Sequence, residues 1–147
     1  VKSTLRDKLT KLHESAKDLH AETDALNALY KQVEENLQGV GVTFWWDAKF
    51  DFKAGSDEEC EAYVIVGYAK LNDQWCLATK YVQRASETEK IEVFEPVPLT
   101  RAPRSVRTAF ASRVEGFVDA LIVEVGRVRA DVEVAKVDLA KHLGSTK

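Results

Sequence analysis

The sequence predicts an α+β fold: a long N-terminal helix, a four-stranded antiparallel β-meander and a long C-terminal helix, the helices antiparallel and packed on one sheet face. Three observations carry this. Apolar residues recur in alternating steps of four and three from Leu5 to Leu37, then alternate with a period of two from Val42 to Phe52. From Val106 to Leu143 the steps of four and three return. At 147 residues the chain suits one α+β domain with a real core.

The first stripe is a heptad repeat. Leu5, Leu12, Leu19, Leu26 and Val33 form one row, and Leu9, Ala16, Thr23, Tyr30 and Leu37 the other, with Thr23 its one polar member. Ser3 is the expected N-cap and Gly39 the stop, which places a helix over about residues 4–38. At ~1.5 Å per residue it reaches roughly 50 Å.

The meander is expected over about residues 41–95. In "VTFWWDAKFDF", Val42, Phe44, Trp46, Ala48, Phe50 and Phe52 share one face. The other carries Thr43, Trp45, Asp47, Lys49 and Asp51, so Trp45 is an indole among polar neighbours. An acidic loop, "KAGSDEEC", follows. Two β-rich runs then flank Asn72-Asp73, a hairpin turn that sets Leu71 opposite Gln74. That register puts Val64, Val66 and Tyr68 on one face with Tyr81, Thr79 and Leu77. Tyr63, Ile65, Gly67 and Ala69 lie on the other with Val82, Lys80, Ala78 and Cys76. After the loop "ASETE", "KIEVFE" makes the fourth strand, which Pro96 and Pro98 end.

The last segment is rich in valine, which favours strands, yet its period is helical. Val106, Phe110, Val114, Phe117, Leu121, Val125, Val128, Val132, Leu139 and Leu143 mark one stripe, broken at Lys136. A helix over about residues 101–143 follows, capped by Thr100, with Pro103 in its first turn. Gly126 is where a kink or split is expected. Residues 117–125, "FVDALIVEV", are apolar around much of the circumference and should be enclosed on more than one side. Helices of 50–60 Å outrun strands of ~20–33 Å, so their stripes need further cover, most simply a second copy of the chain.

Charge bounds the partners. Residues 1–38 hold 6 Lys/Arg and 7 Asp/Glu, residues 39–99 hold 6 and 11, and residues 100–147 hold 9 and 6. A net charge of −3 with an acidic middle argues against nucleic acid and against an anionic membrane surface. No run near 18 apolar residues suggests a span, and the chain reads as cytoplasmic. There is no methionine, so Val1 is not an encoded start and a removed leader is compatible with the sequence. Cys60 and Cys76 fall in different strands out of register, which disfavours a disulfide.

No catalytic motif, P-loop or dinucleotide fingerprint is present, and no cofactor is expected. His13 and His20 share one flank of the first helix beside Asp24, Glu22 and Asp18, without metal-ligand spacing. Arg101, Arg104, Arg107 and Arg113 gather without an intervening acid at a helix start, where the macrodipole prefers anions. They read either as an anion site or as partners for Glu34, Glu35, Glu92 or Glu95. Trp45, Tyr63, Trp75 and Tyr81 supply aromatic surface for binding. The sequence therefore points to a non-enzymatic interaction or assembly module, a homo-oligomer or protein binder with Leu5, Leu12, Leu19 and Leu26 at its interface. The alternative is a sensor of a small ligand or anion at the arginines or the Trp45 face.

Overall fold

A computed structural model describes residues 4–51, 60–85 and 90–144. Ser3, Phe52, the acidic stretch 53–59 and the loop residues 86–89 lie outside them. The chain divides into two compact units, Val1–Leu37 and Gln38–Lys147.

The first unit is helix α1, Leu5–Asn36. Its N-cap is Thr4 rather than Ser3, in a reciprocal capping box: Asp7 N donates to Thr4 Oγ1 at 3.2 Å and Thr4 N to Asp7 Oδ2 at 3.3 Å. Leu37 caps the other end, and Gly39, at φ 89°, takes the left-handed conformation that stops the helix. Thr23 is buried, yet its hydroxyl donates to Leu19 O at 2.7 Å, so the polar break in the stripe leaves no unmet donor.

The second unit holds a curled antiparallel sheet and two helices. At its centre, β3 (Cys60–Leu71) and β4 (Gln74–Ala85) form a hairpin with unbroken register from Leu71↔Gln74 to Cys60↔Ala85. Asn72 and Asp73, at φ 49° and 63°, make the two-residue turn with both φ positive, as the Asn-Asp pair predicts. Cys60 pairs with Ala85 and Cys76 with Ala69, so the cysteines sit roughly 30 Å apart along the ladder at ~3.3 Å per residue.

Both outer rows are broken by bulges, and these set the site geometry. The first row is two short strands, β1 (Phe44–Trp45) and β2 (Phe50–Asp51), both paired with β3. Phe44 faces Tyr68, Trp46 N donates to Val66 O at 2.9 Å, and Phe50 faces Val64. Asp47, Ala48 and Lys49 therefore oppose Ile65 alone. Two extra residues preserve parity, so Phe44, Trp46 and Phe50 still share the inner face.

The last row is β5 (Ile91–Val93) and β6 (Val97–Pro98), both on β4. Phe94 N donates to Tyr81 O at 2.9 Å and Val97 pairs with Thr79, so Glu95 and Pro96 oppose Lys80 alone. One extra residue flips parity, and Phe94 and Val97 both reach the inner face.

The C-terminal segment is not one helix. A 3-10 turn at Leu99–Arg101 precedes α2 (Arg104–Ala111), and α3 runs from Val114 to Gly144. Thr100 lies in the 3-10 turn instead of capping, and Pro103 takes the N-cap position of α2. The split falls at Ser112–Arg113, where Arg113 N turns back to Phe110 O at 2.8 Å, and α3 continues through Gly126. This bend brings Phe110 and Phe117, one on each helix, to 5.5 Å between ring centroids. The inner-face core joins Val64, Val66, Tyr68 and Leu77 of the hairpin to Leu99, Val106, Phe110, Phe117 and Leu121. Each fully buried side chain of this size contributes about 1.5–3 kcal/mol.

Candidate functional site

The two tryptophans of "FWWD" do different jobs. Trp46 enters the inner-face cluster, edge-on to Phe110 at 6.4 Å and to Phe117 at 5.8 Å, while Phe50 meets Phe110 at 5.9 Å. Edge-to-face geometry sets positive ring edges against negative faces. The Trp46 indole packs over Gly116 of α3, where a Cβ would sit 3.6 Å away, in ordinary van der Waals contact.

Trp45 points to the outer face, directly opposite Gly67. A Cβ on Gly67 would lie 2.5 Å from its ring carbon Cε3 and 2.4 Å from Phe44 O, so only glycine fits beneath the indole. Lys80 Nζ stands over the same ring, 4.0 Å from its centroid, and Lys49 Nζ stands 4.6 Å from the Tyr63 centroid. Both aromatic residues of this face thus carry an ammonium partner.

The four aromatics expected as one binding surface are divided. Trp45 and Tyr63 lie on the outer face, while alternation and register place Trp75 and Tyr81 on the inner one. There Trp75 stacks on Tyr68 at 5.4 Å and Tyr81 meets Phe94 at 5.0 Å.

The arginines are spread in the same way. Arg101 ends the 3-10 turn and Arg104 opens α2, both exposed. Arg107 donates Nη1 to Thr100 O at 3.3 Å. Arg113, at the α2–α3 junction, lies over Trp46 and Phe50, 5.0 Å from each ring centroid. Its charge caps the aromatic cluster instead of joining the other three at the start of α2.

Sequence reasoning missed a cavity of about 350 Å³ at the bulged edge, lined by Val64, Thr79, Tyr81, Phe94, Glu95, Val97 and Pro103. Phe94 and Val97 are three apart, so strict alternation separates them. Only the one-residue bulge reunites them, and the sequence signals it no more loudly than by Pro96 beside Glu95. A second, more open groove of about 450 Å³ lies between β1 and α3, with Trp45, Asp47, Val123 and Glu124 among its walls.

Most of the exposed large apolar side chains among the described residues lie on the helices. On α1, burial rises along the stripe: Leu5, Leu9 and Leu12 are 73%, 55% and 65% exposed, whereas Tyr30 and Leu37 are buried. On α3 it falls: Phe117 and Leu121 are buried, Val125 and Val128 half-buried, and every residue from Arg129 to Gly144 exposed. The stretch 117–125 is not enclosed on more than one side, for Ile122 and Val123 are 62% and 73% exposed. The aromatic cluster covers a single flank of α3, and the opposite flank is open.

Among the described residues, no three His, Cys, Asp or Glu side chains gather as metal ligands, and no helix is long and apolar enough to cross a membrane. Comparison with family models, curated proteins and solved structures gives no match.

Proposed function

We propose that the chain is a non-enzymatic protein-interaction or assembly module, joined through its long helices to a second copy of itself. The observation that carries this reading is the exposure of patterned apolar residues on regular helix. Leu5, Leu12 and Leu19 repeat every seven residues on α1 and are all exposed. On α3, Val132, Leu139 and Leu143 continue the core stripe into solvent. Patterned leucine is a seam for a partner helix. A stripe that repeats along its own length is also self-complementary, as a two-fold interface requires.

Helix energetics point the same way. The exposed part of α3 is rich in valine, a weak helix former, and a helix in water gains little from propensity alone. Its surface pairs, Arg127–Glu124, Arg127–Asp131 and Lys136–Glu133, are screened by solvent and add little. Cover from another helix supplies what those pairs do not.

Light scattering on the eluting peak tests the proposal, with Leu12→Glu, Leu19→Glu as the variant. The wild type is expected at the mass of two chains, and the variant as a folded single chain. A wild type that stays monomeric at tens of micromolar, or a variant that unfolds as a monomer, would assign the α1 stripe to the core.

A further inference from the structure

We propose that the inner-face cavity at the bulged edge of the sheet binds a small amphiphilic amine, with its apolar body between Phe94 and Val97 and its cationic group at Glu95. The proposal is independent of how the chain assembles.

The cavity is built for an apolar body. Val64 and Thr79 form a buried floor, and the Thr79 hydroxyl is already donated to Val97 O at 3.2 Å. That bond takes up the hydroxyl hydrogen, and the floor offers a ligand chiefly carbon, with the Thr79 oxygen as its one side-chain acceptor among the described lining residues there. Tyr81 and Phe94, 5.0 Å apart and inclined at 56°, make an aromatic wall. Phe94 and Val97 remain 45% and 43% exposed, an apolar rim that an occupant would take out of water. A volume of about 350 Å³ exceeds one side chain and lies in the range of small-molecule sites.

Charge selects the class of ligand. Glu95 is the one acidic side chain among the described residues that line the cavity. The aromatic wall adds to its preference for a cation, because ring faces attract positive charge.

Strand addition fits the same edge less well. β5 offers three residues, and Pro96 and Pro98 remove two N–H donors from the row that follows. A pairing peptide would find no ladder beyond Val93.

Calorimetric titration of the full chain with three indoles of matched size tests the proposal: tryptamine, the neutral tryptophol and the anionic indole-3-acetate. Tryptamine is expected to bind saturably, about fivefold tighter than tryptophol, the span of a partly solvated ion pair. Indole-3-acetate should be weakest. Glu95→Gln should bring tryptamine to the level of tryptophol while leaving tryptophol unchanged. Phe94→Ala, at an exposed rim position, should weaken both by roughly tenfold, with a melt by circular dichroism confirming the fold. Absence of saturable heat with all three probes would overturn the site. So would binding undiminished by Phe94→Ala. A tryptamine preference that survives Glu95→Gln would overturn the assignment of the cationic group.

Discussion

The two ends of α3 follow one sequence pattern and meet opposite environments. At the start, Phe117 and Leu121 are buried, and Phe117 touches Phe44, Trp46 and Phe110 with centroids 5.5–5.8 Å away. At the end, Leu139 and Leu143 occupy the same stripe and are 61% and 67% exposed. The difference lies in what faces each end. The first strand row delivers the rings of Phe44 and Trp46 to the start of α3, and no described residue buries the stripe beyond Val128.

Truncation at each end is the strongest way to break this comparison. Phe117→Ala removes a ring from a packed aromatic cluster and should cost about 3–5 kcal/mol in urea unfolding. Leu139→Ala should change the unfolding of a single chain by less than about 0.5 kcal/mol. If the proposed assembly covers the far end, the Leu139→Ala loss should be larger at high protein concentration and fade on dilution. Equal losses at Phe117 and Leu139, independent of concentration, would remove the distinction.

The sequence made legible whatever depends on period and local chemistry. The Asn72-Asp73 turn fixed every pair of the β3–β4 ladder, and the heptad spacing fixed α1 to within two residues at each end. It did not reveal the bulges, because an inserted residue looks like any other until both strands are aligned. Strict alternation would also have kept Phe94 off the face of Val97, and with it hidden the cavity. The split between α2 and α3 was misplaced at Gly126 for a related reason. Glycine is the conspicuous breaker in sequence, but the bend at Ser112–Arg113 answers to the ring cluster on either side. The arginine cluster was a pattern in one dimension, and the same bend carries Arg113 away to Trp46 and Phe50.

Gly126 itself sharpens the comparison, since it lies where burial gives way to exposure. It is exposed within continuous helix, and a Cβ there would meet no heavy atom within 4 Å. Gly126→Ala should therefore stabilise the fold by about 0.5–1 kcal/mol, through the lower backbone entropy of the unfolded chain. For a chain of this size that raises the melting midpoint by about 2–4 °C. A loss instead, together with a lower mass in solution, would show that a partner helix approaches α3 closely at this residue.

The smallest effect concerns the ion pair at the same boundary. Arg127 donates Nε to Glu124 Oε1 at 3.1 Å and Nη1 to Asp131 Oδ2 at 3.0 Å. Hydrogen bonding to Arg127 holds the Glu124 carboxyl below its ordinary value of 4.5, and the same bond raises Arg127. A depressed acid contributes stability that is fully present above its unfolded value and lost as pH falls through the lower folded one. Arg127 stays charged throughout, so the loss on acidification belongs to Glu124. Arg127 is exposed and Glu124 half-buried at the surface, where salt screens the pair, so the effect on global unfolding should be slight. It is best read locally, from the side-chain carboxyl resonance of Glu124 during an acid titration. Arg127→Ala should move that midpoint up toward 4.5. A midpoint that does not move would mean the carboxyl is held by something other than Arg127. The far end of α3 would then rely still less on its own surface pairs and more on an external partner.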